Sequence, residues 1–420
     1  MVKIKKKYIF ILLFGLTVFL MLAAVGIASA DEEETITPEE TLLSLINEAR
    51  RHPLETAAAI GMDPDRILAD LPEMENILKD GLPPLTLNEN LSEAAFAHTW
   101  DMFARGYYSK VSPDGKDAAE RIAAAGYPAV LSGESLGMIL FANFINPEEA
   151  ARLIFEYMFQ DELDPSRTEK RNILDPCLRE AGISIQTGTL ALGNGRWNVY
   201  LATCDFGSLM SCPEGELFNL INQARTAPLE TAESLGMDPE ELLTEYPQWA
   251  DLLTEGLPPL AFNLNLAETA RAHAADMLEN GYYSCESPDG QTIADRIAQT
   301  GYAEQDFTAD ELLWRACLGK DDGLLNELAE SNYDQIRELM RQVFRSMFSC
   351  ALKVTDKDDT NPLFSDSLRE FGIGLAAGVS SDFESICGDR ILLMTLDFGD
   401  RPEIDAADAS GMADDSVSVP

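Results

Sequence analysis

The chain repeats itself, and this repeat limits its architecture more than any other feature of the sequence. The words GYYSKVSPDG (106–115) and GYYSCESPDG (281–290) differ at two positions. The segment from Leu42 to Tyr127 aligns without a gap with a second segment that begins at Leu217. About half of the aligned positions are identical. A unit of roughly 170–190 residues has the size of a domain, so the sequence predicts two tandem domains and not a solenoid of short repeats.

The copies diverge after Tyr127 and meet again near their ends. LREAGISI returns as LREFGIGL, and CDFG returns as LDFG. We therefore predict one domain over residues 37–209 and a second over residues 212–400. Residues 401–420 are acidic and lack large apolar side chains, so we expect a disordered tail there.

Each copy carries helical signals first and strand signals last. The sequence TPEE from Thr37 is a capping box with Pro at the first helical position, and it predicts a helix that ends near Arg51. Helices first and a sheet last indicate an α+β domain. The remaining predicted elements of the first copy are helices over 91–105 and 117–125, a helix capped by Asn146, and a β-hairpin about Asn194–Gly195.

The amino terminus has the pattern of a secretory signal. Four lysines precede an apolar run over residues 8–27, and Ala28-Ser29-Ala30 follows as a cleavage site. We expect residues 1–30 to be removed, so that the mature chain begins at Asp31. The apolar run is long for a signal peptide, and an uncleaved anchor over 8–27 is the alternative. Either outcome places the protein outside the cytoplasm, and we expect contact with a membrane only through this segment, if it is not cleaved.

The net charge of the chain is −41. A polyanion is repelled by nucleic acids and by anionic lipid surfaces, so we exclude both as partners. The sequence also lacks a phosphate-binding glycine loop, a Cys/His zinc pattern and a serine nucleophile elbow.

Seven cysteines outside the cytoplasm indicate disulfides, and an odd number leaves at least one thiol free or paired with another chain. Cys177 and Cys204 have Ser and Leu as their counterparts in the second copy, so both are missing together. This joint loss predicts a Cys177–Cys204 bridge, with two separate buried thiols as the alternative. For Cys285 we expect a disulfide with Cys350 or Cys317 in preference to a catalytic role.

The order of the motifs resembles that of a known family. LLSLINEAR, GLPPL, the words GYYS and SPDG, ERIAAAGY, SGES, RNIL and DFG follow one another as they do in the CAP superfamily. This family includes cysteine-rich secretory proteins, antigen 5, pathogenesis-related 1 proteins and bacterial SCP-like extracellular proteins. The resemblance implies tandem α-β-α sandwiches, each with a central antiparallel sheet, in a secreted protein of bacterial type. It also implies a cleft that binds Zn²⁺ in some relatives, while others bind sterols or fatty acids.

The family's cleft residues can be carried over position by position. Its first metal-binding His stands in the turn before SPDG, where this chain has Lys110 in one copy and Cys285 in the other. Its Glu in the motif GEN corresponds to Glu134 and, less closely, to Glu311. Ammonium is not a metal ligand, and a nucleophilic Cys285 has no family signature around it.

The second family His lies three residues before the Asn of RNIL. This position is Glu169 in the first copy, and Asp359 is the nearest equivalent in the second. Glu162 is a looser match to the family's second Glu. His98 and His273 occupy matching helical positions, and we interpret them as packed histidines that bind a neighbouring side chain.

These substitutions predict a degenerate metal cleft. We expect no metal and no cofactor, and a non-catalytic binding or surface-interaction module whose extracellular ligand is a lipid or a protein. One alternative is a protease-like hydrolase that uses Glu134 and Glu169, since neighbouring acids can have separated pKa values. The others are a lipid or sterol carrier and a site in which the carboxylates hold Ca²⁺.

Overall fold

A computed structural model of the chain describes residues 36–192, 195–302, 307–317, 333–354, 361–379 and 390–401. The signal segment, residues 402–420 of the tail, Asp359 and Asn194 of the predicted turn lie outside the described residues. Within the described ranges, no helix combines the length and the apolarity needed to cross a membrane.

The first repeat contains seven helices and four strands among its described residues. In chain order they are α1 (Pro38–Arg51), α2 (Pro53–Ala59), α3 (Pro64–Asp70), α4 (Glu75–Asp80), β1 (Thr86–Leu87), α5 (Glu89–Arg105), α6 (Ala118–Ala124), β2 (Leu131–Phe141), α7 (Pro147–Glu162), β3 (Glu180–Leu192) and β4 (Gly195–Ser208).

The second repeat follows the same order of elements over its described residues. They are α8 (Cys212–Thr226), α9 (Pro228–Ser234), α10 (Pro239–Glu245), α11 (Ala250–Glu255), β5 (Ala261–Phe262), α12 (Leu264–Asn280), α13 (Ile293–Ala298), β6 (Thr308–Cys317), α14 (Tyr333–Leu352), β7 (Glu370–Val379) and β8 (Arg390–Asp400).

Each repeat has one four-stranded sheet, in the orders β1-β3-β4-β2 and β5-β7-β8-β6. In the second repeat, β8 lies between β7 and β6 and is antiparallel to both. The two-residue strand β5 is parallel to β7. The prediction of an antiparallel sheet therefore holds for the three long strands and fails at the short edge, because β5 reaches that edge by a helical crossover and not by a hairpin.

The second-repeat sheet is covered on both faces. Ile391 and Leu393 pack with Met277 of α12, whereas Leu392, Met394 and Leu396 belong to the core formed with α8 and α14. Side chains alternate between the two faces of a strand, so a continuous apolar run serves two helical layers at once. The fold class is therefore α+β, with an α-β-α sandwich as its unit.

The predicted helix ends agree with the structure. Thr37 and Glu40 form a reciprocal capping box at the start of α1, and Asn146 caps α7. The helix α5 begins at Glu89 and ends before Gly106, which adopts the left-handed conformation that closes a helix. These signals are local, which is why the sequence was sufficient to place them.

The GLPPL segment of each repeat is fastened to the first long helix. The side chain of Asn47 accepts from the backbone N–H of Leu85 at 2.7 Å and donates to its carbonyl at 2.9 Å. The buried Arg50 donates to the carbonyl of Pro83 at 2.8 Å. Asn222 and Arg225 make the same contacts in the second repeat. This arrangement explains why the words INEAR or INQAR and GLPPL persist together.

The glycine of GLPPL is required by the same contact. Gly81 has φ +74°, and a Cβ atom there would lie 2.3 Å from the carbonyl oxygen of Arg51. Gly256 repeats this geometry at φ +72°. A side chain at either position would be strained by its own backbone and would also push the segment off the helix.

The described residues form two compact units. One contains those up to residue 115 together with 134–169 and 181–204, and the other contains 116–133, 170–180 and those from 205 onward. The domain bounds 37–209 and 212–400 therefore stay predictions.

A disulfide between Cys177 and Cys212 lies within the second unit. It joins segment 170–180 to the first residue of α8, with 4.7 Å between the two Cα atoms. In the same unit the guanidinium of Arg179 lies 3.6 Å from the carboxylate of Glu216. The predicted Cys177–Cys204 bridge is therefore wrong, because Cys177 lies against the start of α8 and is already bonded there.

The other cysteine predictions also need correction. Cys285 and Cys350 are thiols on exposed residues and are not bonded to each other. Cys317 is half of a disulfide, and neither of these two cysteines is its partner.

We expect Cys212→Ser to lower the free energy of unfolding by about 3–4 kcal/mol, because the bridge closes a loop of 35 residues. Chemical denaturation under oxidising conditions would measure the change. Cys350→Ser removes a thiol that forms no disulfide and is the matched control. Equal stability of the two variants would show that the bridge does not constrain the unfolded chain.

Candidate functional site

A pocket of about 530 Å³ marks the predicted cleft of the first repeat. Lys110 enters it from the turn after α5, whose direction is set by the left-handed Gly106. Glu169 follows the end of α7, and Glu162 closes that helix. The structure therefore brings Lys110, Glu162 and Glu169 to one pocket.

Lys110 and Glu169 form an ion pair at the mouth of this pocket. The hydrogen bond from the ammonium, together with its charge, lowers the pKa of the Glu169 carboxyl. Both side chains are substantially exposed, at 40% and 63%, so the pair contributes little to stability. Its effect is chemical, because the ammonium favours the ionised Glu169 carboxylate and contacts one of its two oxygens.

The pocket also has an apolar wall. Val111, Leu136, Met138, Ile154 and Met158 line it beside the charged groups. A pocket that combines an apolar wall with a few polar groups is typical of a small-molecule site.

Glu134 is not among the side chains that line this pocket. It is buried in β2, and one carboxylate oxygen lies 3.1 Å from Nδ1 of His98, which is buried in α5. The prediction that His98 packs against a neighbouring side chain agrees with this contact. Burial and the nearby Glu134 charge raise the pKa of Tyr108, which does line the pocket, to about 12.

The second repeat builds a larger buried network from the matching positions. Nδ1 of His273 lies 2.7 Å from Oε1 of Glu311, and both side chains are almost completely buried. The guanidinium of Arg296 donates to the same oxygen at 2.6 Å. Burial alone would raise the pKa of Glu311, but His273 and Arg296 outweigh it and lower the pKa.

Asp397 of β8 stands directly opposite Glu311 of β6 in the sheet. It is completely buried. Burial, and then the charge of Glu311, raises the pKa of Asp397 well above its ordinary value. Two facing carboxyl groups cannot both ionise cheaply, so Glu311 takes the charge and Asp397 keeps the proton.

Cys285 occupies the place of Lys110 in the second repeat. Its thiol is partly buried, and this burial together with the Glu311 carboxylate raises the pKa of Cys285 to about 11. A thiol is a nucleophile mainly as the thiolate, so this environment works against catalysis. The arrangement gives no support to a cysteine-dependent reaction.

The Zn²⁺ implied by the resemblance does not fit the first-repeat cleft. The two family His positions hold Lys110 and Glu169, and these side chains are bonded to each other. An ammonium cannot coordinate a metal ion, and the pair occupies the carboxylate. Among the residues that the structure describes, no three His, Cys, Asp or Glu side chains group as a set of metal ligands.

Sequence reasoning missed two members of the buried network, Arg296 and Asp397, and the pairing of its histidine with its glutamate. It named Glu134 and Glu311 as cleft residues but did not pair them with His98 and His273, nor did it single out Arg296 or Asp397. A signal was present, since both histidines recur at one helical position and Asp397 belongs to the repeated word DFG.

Comparison with known proteins gives one family and one solved structure. The sequence profile described as "CAP: Cysteine-rich secretory protein family" matches residues 43–206 and 218–378. A crystal structure of an extracellular protein containing an SCP domain from Bacillus anthracis str. Ames is 16% identical, with a TM-score of 0.22. That match covers 51% of this chain and 59% of the other, so the chain spans under two thirds of its length. No curated protein matches.

We expect Glu311→Gln to destabilise the second repeat by about 3 kcal/mol, because it leaves the buried Arg296 without its anionic partner. Asp397→Asn should cost less, because it replaces a neutral acid with a neutral amide. Chemical denaturation of both variants, compared with the unaltered chain, measures the difference. Equal losses would contradict the assignment of the charge to Glu311.

The raised pKa of Asp397 also makes the stability of the second repeat depend on pH. Its pKa is raised in the folded state, so its contribution to stability is fully present below its unfolded pKa of about 4 and is lost as pH rises through the folded value. Relative to the unaltered chain, Asp397→Asn should therefore gain stability as pH rises. A stability difference that stays constant from pH 4 to alkaline pH, in the same denaturation measurement, would contradict this.

Proposed function

This chain belongs to the cysteine-rich secretory protein (CAP) family, and on that premise we propose that it is a secreted binding module. Its first-repeat cleft binds a ligand without a metal ion and without catalysing a reaction. The observation that carries the proposal is the Lys110–Glu169 ion pair, which stands where the family places its two metal-binding His. The pocket around the pair is retained, at about 530 Å³.

The charged mouth and apolar wall of the pocket indicate an amphipathic ligand. Lys110 can contact an acidic or polar group, while Leu136, Met138 and Ile154 offer a surface for an apolar chain. This combination favours the lipid or sterol carrier as the second candidate function. A protein ligand would use the same mouth through a single inserted side chain.

The geometry gives less support to a hydrolase. Glu169 is held in the ionised state by Lys110, so it is a poor proton donor. Glu134 is buried against His98 and does not line the pocket. A paired-carboxylate mechanism needs both groups at the substrate. Turnover in a broad panel of peptides and esters that is lost in Glu169→Gln would replace our proposal.

Secretion is part of the proposal and rests on the signal pattern of residues 1–30. Mass spectrometry of the exported protein would identify its first residue. A mature chain that begins at Asp31 supports release, and a retained segment 8–27 supports surface anchoring.

We expect the purified protein to hold no stoichiometric Zn²⁺, and Lys110→His/Glu169→His to gain a zinc site together with Glu162. Two imidazoles and one carboxylate, with a water as the fourth ligand, form a tetrahedral donor set, whereas the native ion pair does not. Metal analysis and zinc titration measure the gain. Lys110→Gln/Glu169→Gln removes the ion pair without adding ligands and is the control. Tightly held, stoichiometric Zn²⁺ in the unaltered protein would overturn the proposal.

Ligand capture is tested by native mass spectrometry of protein recovered with membrane extracts. The carrier function predicts a bound lipid mass that is lost in Leu136→Glu, which places a charge in the apolar wall. Leu140→Glu lies on the same strand outside the pocket and should retain the lipid. If the protein carries no lipid under these conditions, the carrier function is contradicted and a protein ligand remains as the candidate.

A further inference from the structure

Two small residues of the edge strand β2 line the first-repeat cleft. Ser135 and Gly137 belong to the lining of the pocket of about 530 Å³, together with Ile154 and Met158 of α7. A Cβ atom on Gly137 would lie 2.4 Å from Cγ2 of Ile154 and 3.4 Å from Sδ of Met158. Position 137 therefore faces α7, and a large side chain there would have to enter the space between the strand and the helix.

The second repeat has large apolar side chains at the two matching positions. When the edge strands β2 and β6 are aligned on the glutamate that they share, Ser135 and Gly137 correspond to Leu312 and Trp314. Both Leu312 and Trp314 are partly buried and pack against the core that α8 and α14 form with the sheet. The exchange therefore adds bulk on the strand where the first repeat has almost none.

The sheet register places this bulk on the face that α14 covers. Leu312 stands opposite Leu396 of β8, and Trp314 stands opposite Met394. Both β8 residues are buried in the core that includes α14. Since residues directly opposite each other in a sheet project to the same face, Leu312 and Trp314 also point toward α14. Their side chains thus lie where the first repeat has its cleft.

The other face of β6 also carries a long side chain at the matching place. Arg315 corresponds to Met138, which lines the first-repeat pocket. The guanidinium of Arg315 lies 4.9 Å from the ring centre of Tyr283, the counterpart of the pocket residue Tyr108. A cation over an aromatic ring is an attractive contact, so it holds the arginine across this side of the strand.

The entrance of the cleft differs in the same direction. Val111 and Tyr157 line the first-repeat pocket, and they are 50% and 64% exposed. Their counterparts are Glu286 and Ser346, when α7 and α14 are aligned on the Met-Phe pair that both helices contain. Apolar groups at a pocket mouth gain free energy when a ligand removes them from water, and polar groups do not. The first repeat alone therefore combines an apolar entrance with small residues behind it.

We propose that the chain binds one ligand, in the first repeat, and that Ser135 and Gly137 are the residues that admit it. Leu312 and Trp314 fill the matching space in the second repeat and exclude the same ligand. The ligand is that of the proposed function, on which the choice between the repeats rests. The side chains of the edge strand, and not the fold, determine which repeat has the site.

Titration of the full chain with 8-anilinonaphthalene-1-sulfonate, an anion with apolar rings, tests the stoichiometry. We expect one site per chain in the unaltered protein and two in Leu312→Ser/Trp314→Gly, which copies the first repeat. Leu312→Met/Trp314→Phe keeps large apolar side chains at both positions and is the matched control with one site. A second site that fails to form in the first variant, or that forms equally in the control, would overturn the proposal.

The converse exchange provides a variant of the first repeat in case the double substitution perturbs folding. Ser135→Leu should weaken the affinity for the same probe by about tenfold or more, because the new side chain enters the pocket. Ser132→Leu changes the same strand outside the pocket and should leave the affinity as it is. Equal affinities of these two variants would contradict the role of Ser135.

Tryptophan fluorescence tests the closure of the second cleft without any ligand. The emission lost in Trp314→Phe isolates Trp314, and the emission lost in Trp100→Phe isolates Trp100, which is 61% exposed. We expect acrylamide to quench Trp314 much less than Trp100, because Trp314 packs against the core. Equal quenching would overturn the closure. The absence of probe binding in every variant would instead contradict the ligand site of the first repeat, so the two failures are distinguishable.

Discussion

The fold of each repeat depends on one buried polar contact, the attachment of the GLPPL segment to the first long helix. Asn47 and Arg50, and likewise Asn222 and Arg225, satisfy backbone groups of a segment that forms no regular structure of its own. Burial lowers the pKa of Arg225 to about 10, and backbone carbonyls compensate its charge. The segment leads directly into the edge strand and the central helix, so this contact sets where both elements begin.

Above this common framework the two repeats differ in the charges that they place on matching positions. The first repeat pairs its acidic side chains with its own cations, which are Lys110 in the cleft and Arg105 beside the SPDG turn. The second has Cys285 and Asn280 there and concentrates its electrostatics in the buried group around Glu311. Duplication thus preserved the packing and changed the groups with which the matching carboxylates are paired.

Local features could be predicted from the sequence, and long-range ones could not. The capping box at Thr37 and the helix stop at Gly106 depend on residues within one turn of the chain. The partner of Cys177 depends on which segment lies against α8. The missing counterpart in the other repeat, which suggested Cys204 as the partner, is a property that Cys212 shares. The burial of Glu134 was missed for a similar reason, because the motif fixed its place in β2 without its contact to His98.

The disulfide between Cys177 and Cys212 has a practical consequence for any attempt to divide the protein. The short linker between the repeats, residues 208–211, lies within the loop that the bridge closes. A protease that cuts this linker would leave two fragments that migrate as one until they are reduced. Either repeat produced alone would carry one unpaired half of this bridge, Cys177 or Cys212, and it would be prone to form mixed disulfides through that thiol.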